Sequence, residues 1–136
     1  MPEHSPVGRH ILLELSGCSA ALLRSEEQLE CLLVEGARAG GATVVSSHFH
    51  GFEPQGVSGV VVIAESHVTI HTWPEHGYAA VDVFTCGEHL VADCVGDEVV
   101  ARLRADHVKR TVVNRAPAGS DVLPPVSQNV EGACYA

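Results

Sequence analysis

Between Ala42 and Cys86 the chain offers four strand-like runs whose connections are too short for anything but antiparallel pairing. "ATVVSSHFH" (42–50), "VSGVVVI" (57–63), "HVTIHT" (67–72) and "YAAVDVFTC" (78–86) are rich in β-branched and aromatic residues. The turns "GFEPQG" and "WPEHG" carry the Gly and Pro that end strands. A parallel neighbour would need a crossover of about a dozen residues or more, and no such length is present here. "RHILLEL" (9–15) and "HVKRTVVNR" (107–115) add a strand on either side of this block.

Helical signals flank the strands. Ser19 to Ala39 reads as one helix, with a capping-box pattern at Ser25–Gln28 and an apolar face of Leu29, Leu32, Leu33 and Ala37. Gly40-Gly41 supplies its stop. A second helix falls within 88–105, best formed in "DEVVARLRAD" after Gly96. The expected architecture is a single α+β domain over 1–136, a two-layer sandwich with a mainly antiparallel sheet and both helices on one face. The other sheet face needs a cover, so the chain is expected to form a homodimer through or beside the sheet. Residues 116–136 carry three prolines without periodicity and read as an extended tail.

Charge narrows the partners. Eight Lys and Arg stand against 17 Asp and Glu, a net charge of −9, which repels phosphate backbones and argues against nucleic acid. A small cationic ligand is favoured instead. No apolar run approaches the roughly 18 residues of a membrane span. "MPEHSPVGRH" has no signal-peptide core, so a cytoplasmic location is expected. Five cysteines without a CxxC pair point to reduced thiols, with neither a disulfide framework nor a zinc ribbon.

Reactive side chains concentrate in "AESHVTIHTWPEHGYAAVDVFTCG" (64–87). Nine histidines raise the question of metal, and His48 and His50 share one face of a strand. No HxxxH and no finger spacing accompanies them, so no metal site is expected. A non-enzymatic, His-rich metal-binding module is the reading from another class. Ser66, His71 and Asp82 could suggest a triad, but no GxSxG elbow surrounds Ser66.

Glu65-Ser66 suits a different chemistry. A serine hydroxyl can attack the carbonyl of its own preceding residue when that peptide is strained and its oxyanion stabilised. Removal of the serine α-proton from the resulting ester expels the upstream chain as a carboxylate. Hydrolysis of the dehydroalanine left behind gives a pyruvoyl group, an electrophile for substrate amines and an electron sink.

The run "ESHVTIHTWPEHGYAAVDVFTCG", with "FHGFEPQGVSGVVVIA" before it and "GRHILLELSGC" near the start, resembles the small prokaryotic S-adenosylmethionine decarboxylases. These are pyruvoyl enzymes of polyamine (spermidine) synthesis, made as self-cleaving proenzymes. The resemblance is dense over 43–87, weaker over 8–42 and thin beyond 90. It implies a two-layer α/β fold, cleavage between Glu65 and Ser66 into a 1–65 β chain and a 66–136 α chain, and a pyruvoyl cofactor derived from Ser66 that forms the Schiff base. It implies His71 as the processing base, Cys86 as the proton donor to the decarboxylated carbon and Ser58 as a processing aid. It implies Glu75 on the ribose hydroxyls and Phe52 against the adenine. It also implies a homodimer of processed αβ pairs. Taken singly, Ser66 reads as a strand-start serine, His71 as a satisfied histidine, Cys86 as a core thiol and Glu75 as a turn acid; together in one run they read as a site.

Two points stay open. Glu53, beside Phe52, adds a carboxylate that would suit arginine or ornithine, substrates of related pyruvoyl decarboxylases. Ser66 and His71 are five residues apart, so a regular strand puts them on opposite sheet faces. Either the strand bulges between them or the second protomer supplies the histidine.

Overall fold

The computed structural model describes residues 7–86, 89–119 and 126–131. The elements run β1 (Gly8–Ser16), α1 (Ala20–Leu23), α2 (Glu26–Ala39), β2 (Val44–Gly51), β3 (Val57–Ile63), β4 (Ser66–Trp73), β5 (Tyr78–Cys86), α3 (His89–Leu103), β6 (His107–Arg115) and β7 (Val126–Glu131). A 3-10 turn, Pro74–His76, joins β4 to β5. The body is a six-stranded antiparallel sheet, with β7 added at one edge, in the order β2-β3-β4-β5-β1-β6-β7. The α+β arrangement matches the expectation, and the meander β2 to β5 follows from its short turns.

Alternation along the strands sorts side chains between two faces. Ile11, Leu13, Leu15, Val61, Val68, Ile70, Val81 and Val83 meet Leu23, Leu29, Leu33, Val95, Val99 and Leu103 of the helices, all at most 1 % exposed. Each such side chain contributes about 2 kcal/mol of burial, against about 1 kcal/mol for a helix cap, so this packing fixes the layers. Among the described residues no helix covers the opposite face, which carries half-buried Leu12, Val60, Val62 and Phe84.

Two expectations need correction, and one is sharpened. The helix expected over 19–39 is two helices broken at Arg24-Ser25. Ser25 Oγ accepts from Gln28 N at 3.2 Å and so starts a new helix, with Glu26 and Glu27 placed to favour its dipole. The second helix lies within 88–105 as expected, at His89–Leu103, and is as well formed before Gly96 as after it. Ala92, Val95, Val99 and Leu103 bury one continuous face, which outweighs the propensity cost of one glycine. Finally, 126–131 within the expected tail pairs with β6, from Val112 opposite Val126 to His107 opposite Glu131.

Ion pairs tie α3 to the sheet. Arg110, 8 % exposed, places Nη2 2.7 Å from Asp93 Oδ1, and Arg9 Nε lies 3.1 Å from the same oxygen. Asp97 Oδ1 stands 3.5 Å from Arg110 Nη1. This clamp steadies the end of β1 that pairs with Thr85 and Cys86. Among the described residues no helix is long and apolar enough to cross a membrane.

Candidate active site

Glu65 and Ser66 sit where β3 turns into β4. Ile63 pairs with Ser66, so Ala64 and Glu65 form a two-residue turn. Ala64 N donates to Thr43 O at 2.8 Å, which anchors the turn to the start of β2. Glu65 has φ +68, in the left-handed region that a non-glycine residue enters at a cost of about 1 kcal/mol. The strain lies on the residue whose carbonyl Ser66 would attack. A cavity of about 340 Å³ opens beside it, lined by Thr43, Ile63, Glu65, Thr85, Cys86 and Val91. Cys86, a free and half-buried thiol, ends β5 there.

The other expected residues collect elsewhere. Ser58 and His71 are register partners across β3 and β4, and Ser58 Oγ lies 2.8 Å from His71 Nδ1. They line a second cavity of about 290 Å³ with Phe52, Gln55, Trp73 and Glu75. Phe52 N donates to Gly56 O at 2.8 Å and closes the loop that presents the ring, which is 51 % exposed. Trp73 stacks on Tyr78 with centroids 5.1 Å apart. Glu75 is exposed on the 3-10 turn. Glu53 is exposed and is not among the residues that line this cavity.

The two groups lie toward opposite ends of the same strands. The ladders of β4 with β3 and with β5 are regular from Ser66 to His71, without a bulge. Five residues of strand span about 16 Å, and odd spacing sets the two side chains on opposite faces. One chain therefore cannot bring His71 to Ser66.

Against known proteins, residues 9–116 match the sequence profile of S-adenosylmethionine decarboxylases. The chain is 56 % identical over 110 residues to the S-adenosylmethionine decarboxylase proenzyme of Caldanaerobacter subterraneus, covering 80 % of this chain and 88 % of the relative. It is 53 % identical over 109 residues to that of Caldicellulosiruptor saccharolyticus, with the same coverage. The crystal structure of the adenosylmethionine decarboxylase from Aquifex aeolicus superposes with a TM-score of 0.80 at 36 % identity, over 88 % of this chain and 98 % of that one. The chain belongs to the S-adenosylmethionine decarboxylase family.

S-adenosylmethionine decarboxylases of this family are pyruvoyl-dependent carboxy-lyases made as proenzymes, and they form the pyruvoyl group from a serine of the chain. The turn at Glu65-Ser66 fits that chemistry through its left-handed Glu65 and adjoining cavity. Among the described residues no three His, Cys, Asp or Glu side chains converge as a metal site; His48 and His50 remain exposed on β2.

Sequence reasoning missed two features of these surroundings. His10, Asp82, His67, Phe84 and Arg115 cluster on the open face, with Asp82 Oδ1 3.5 Å from His10 Nε2 and Thr69 Oγ1 donating to Asp82 at 3.0 Å. Thr85, opposite Ser66, is buried with no partner for its hydroxyl among the described residues. A signal for Thr85 exists, since it follows Ala79, Val81 and Val83 on the helix-facing side of β5 and breaks their apolar series.

Proposed function

We propose that this S-adenosylmethionine decarboxylase cuts itself between Glu65 and Ser66, and that each site combines two protomers packed through the open sheet face. Ser66 and Cys86 come from one protomer, and Phe52, Ser58, His71 and Glu75 from its partner. The separation of Ser66 from His71 along a regular strand carries this reading. The half-buried apolar side chains of the uncovered face supply the contact surface.

Ser66 Oγ attacks the Glu65 carbonyl carbon, and the peptide becomes an ester. With Nδ1 hydrogen-bonded to Ser58, the Nε2 atom of the partner's His71 is the available base for the Ser66 α-proton. Glu65 then leaves as a carboxylate, giving a 1–65 β chain and a 66–136 α chain. When formed, the pyruvoyl group supplies the carbonyl for the substrate amine and the sink for the electrons released with carbon dioxide. Phe52 offers its exposed ring to the adenine, and Glu75 accepts from the ribose hydroxyls. The sulfonium cation is suited to a chain of net charge −9. Cys86 returns a proton from its thiol to the substrate α-carbon, and the product is the aminopropyl donor for spermidine synthesis.

Intact-mass spectrometry under denaturing, reducing conditions tests the cleavage. Wild-type protein should give two pieces divided at Glu65/Ser66, the second headed by a pyruvoyl group, while Ser66→Ala stays whole. A wild-type chain that stays whole on long incubation defeats the reading.

A further inference from the structure

We infer that the Thr85 hydroxyl donates the hydrogen bond that meets the oxyanion developing on the Glu65 carbonyl when Ser66 attacks it. This rests on the cleavage proposed above.

Three observations converge on Thr85. It is the register partner of Ser66 across β4 and β5, on the same helix-facing side of the sheet. It lines the cavity that Glu65 and Cys86 also line. It is 5 % exposed, and its Oγ1 has no hydrogen-bond partner among the described residues.

Buried hydroxyls ordinarily find partners, and other threonines of this sheet do. Thr72 Oγ1 donates to Leu23 O at 2.8 Å and accepts from Val57 N at 2.9 Å. Thr111 Oγ1 lies 2.8 Å from Ser127 Oγ. Nothing in the fold requires a hydroxyl at Thr85, where valine would fill the same space and continue the series of Val81 and Val83. A donor kept unpaired in the resting chain, lining the same cavity as the residue whose carbonyl gains charge, can stabilise that charge without reorganisation. The branched Cβ restricts χ1 and holds the hydroxyl in place.

The step balances without a co-reactant. The Ser66 Oγ–carbon bond forms, and the carbonyl π pair moves onto oxygen against the Thr85 hydroxyl. As that pair returns, the carbon–nitrogen bond breaks, and the proton from the Ser66 hydroxyl ends on the freed amine. The product is an ester between Glu65 and Ser66 Oγ.

The test follows cleavage of freshly purified full-length wild type, Thr85→Val and Thr85→Ser by intact mass over time. Thermal unfolding of the same substitutions is measured in the uncut Ser66→Ala chain. Thr85→Val should cleave about 10- to 100-fold more slowly, unfold at an equal or higher temperature, and accumulate no ester that hydroxylamine cuts. Thr85→Ser should recover most of the rate. Wild-type speed in Thr85→Val overturns the inference, as does equal slowing in both variants with lowered unfolding temperatures, which would mark a packing role. An accumulating ester also overturns it, by placing Thr85 after the acyl shift. Should Thr85→Val fail to fold, Thr85→Ala is judged by the same outcomes. Failure of wild type to cut at Glu65/Ser66 would instead remove the underlying reading.

Discussion

Ser66 and His71 stand five residues apart on one unbroken strand and project from opposite faces of the sheet. A base confined to its own protomer cannot reach its target. Chains carrying Ser66→Ala and His71→Ala, co-expressed with different tags, should therefore complement each other. The His71→Ala chain is expected to be cut only in the mixture, and the Ser66→Ala chain never. No cutting in a verified mixed dimer would mean that the base acts within its own chain.

The Glu65 backbone yields a stability prediction. In the uncut Ser66→Ala chain, Glu65→Gly should raise the unfolding free energy by about 0.5–1 kcal/mol, because glycine enters φ +68 without a Cβ clash. Glu65→Val should lower it. Urea unfolding reads both, and a destabilising Glu65→Gly would show that the turn stores no strain.

The Ser58–His71 hydrogen bond should matter for chemistry and little for stability. Ser58→Ala is expected to slow cleavage by about tenfold, the equivalent of one lost hydrogen bond of 1.4 kcal/mol. Its unfolding free energy should move by less than about 0.5 kcal/mol, since His71 is exposed. Time-resolved mass spectra and thermal melts separate the two effects.

His10 gives the open face a pH dependence. Burial lowers its pKa from the ordinary 6.5, and Arg115 and His67 act in the same direction, while Asp82 opposes them. The unfolded chain thus binds a proton at pH values where the folded chain does not. Stability from this group is present above pH 6.5 and falls as pH drops toward the folded pKa. Urea midpoints at pH 7.5 and 5.5 should differ more for wild type than for His10→Asn. Equal slopes would remove His10 from the account.

Gly59 marks a close contact behind Ser58. A Cβ built there would lie 2.2 Å from the Phe49 ring, so the ring must move. Gly59→Ala should cost about 1–3 kcal/mol as overpacking. Unchanged chemical denaturation would show that Phe49 repacks freely.

Much of this arrangement is legible in the residues. Alternation and short turns place the strands from β1 to β6 almost to the residue, because one buried face forces both pattern and register. The break between α1 and α2 is harder to read, since apolar spacing continues across Arg24-Ser25 and only the hydroxyl of Ser25 decides it. β7 is nearly invisible, because "VSQNVE" is mostly polar and pairs at a sheet edge. The reactive residues of 64–87 stand out by type, and parity already separates Ser66 from His71. Their gathering around two cavities depends on the register of three strands, which no single segment encodes. Thr85 escaped notice because its break in the series of Ala79, Val81 and Val83 gains meaning only once its buried hydroxyl is seen to lack a partner among the described residues.

The strand order has a mechanical consequence for a chain cut at the β3–β4 turn. β1, which precedes the cut, is seated between β5 and β6, which follow it, and β3 stays laddered to β4. The two pieces are thus dovetailed at three seams of one sheet, and neither can leave unless the central strands come apart. Severing the backbone frees two chain ends locally while the assembly that surrounds them stays shut.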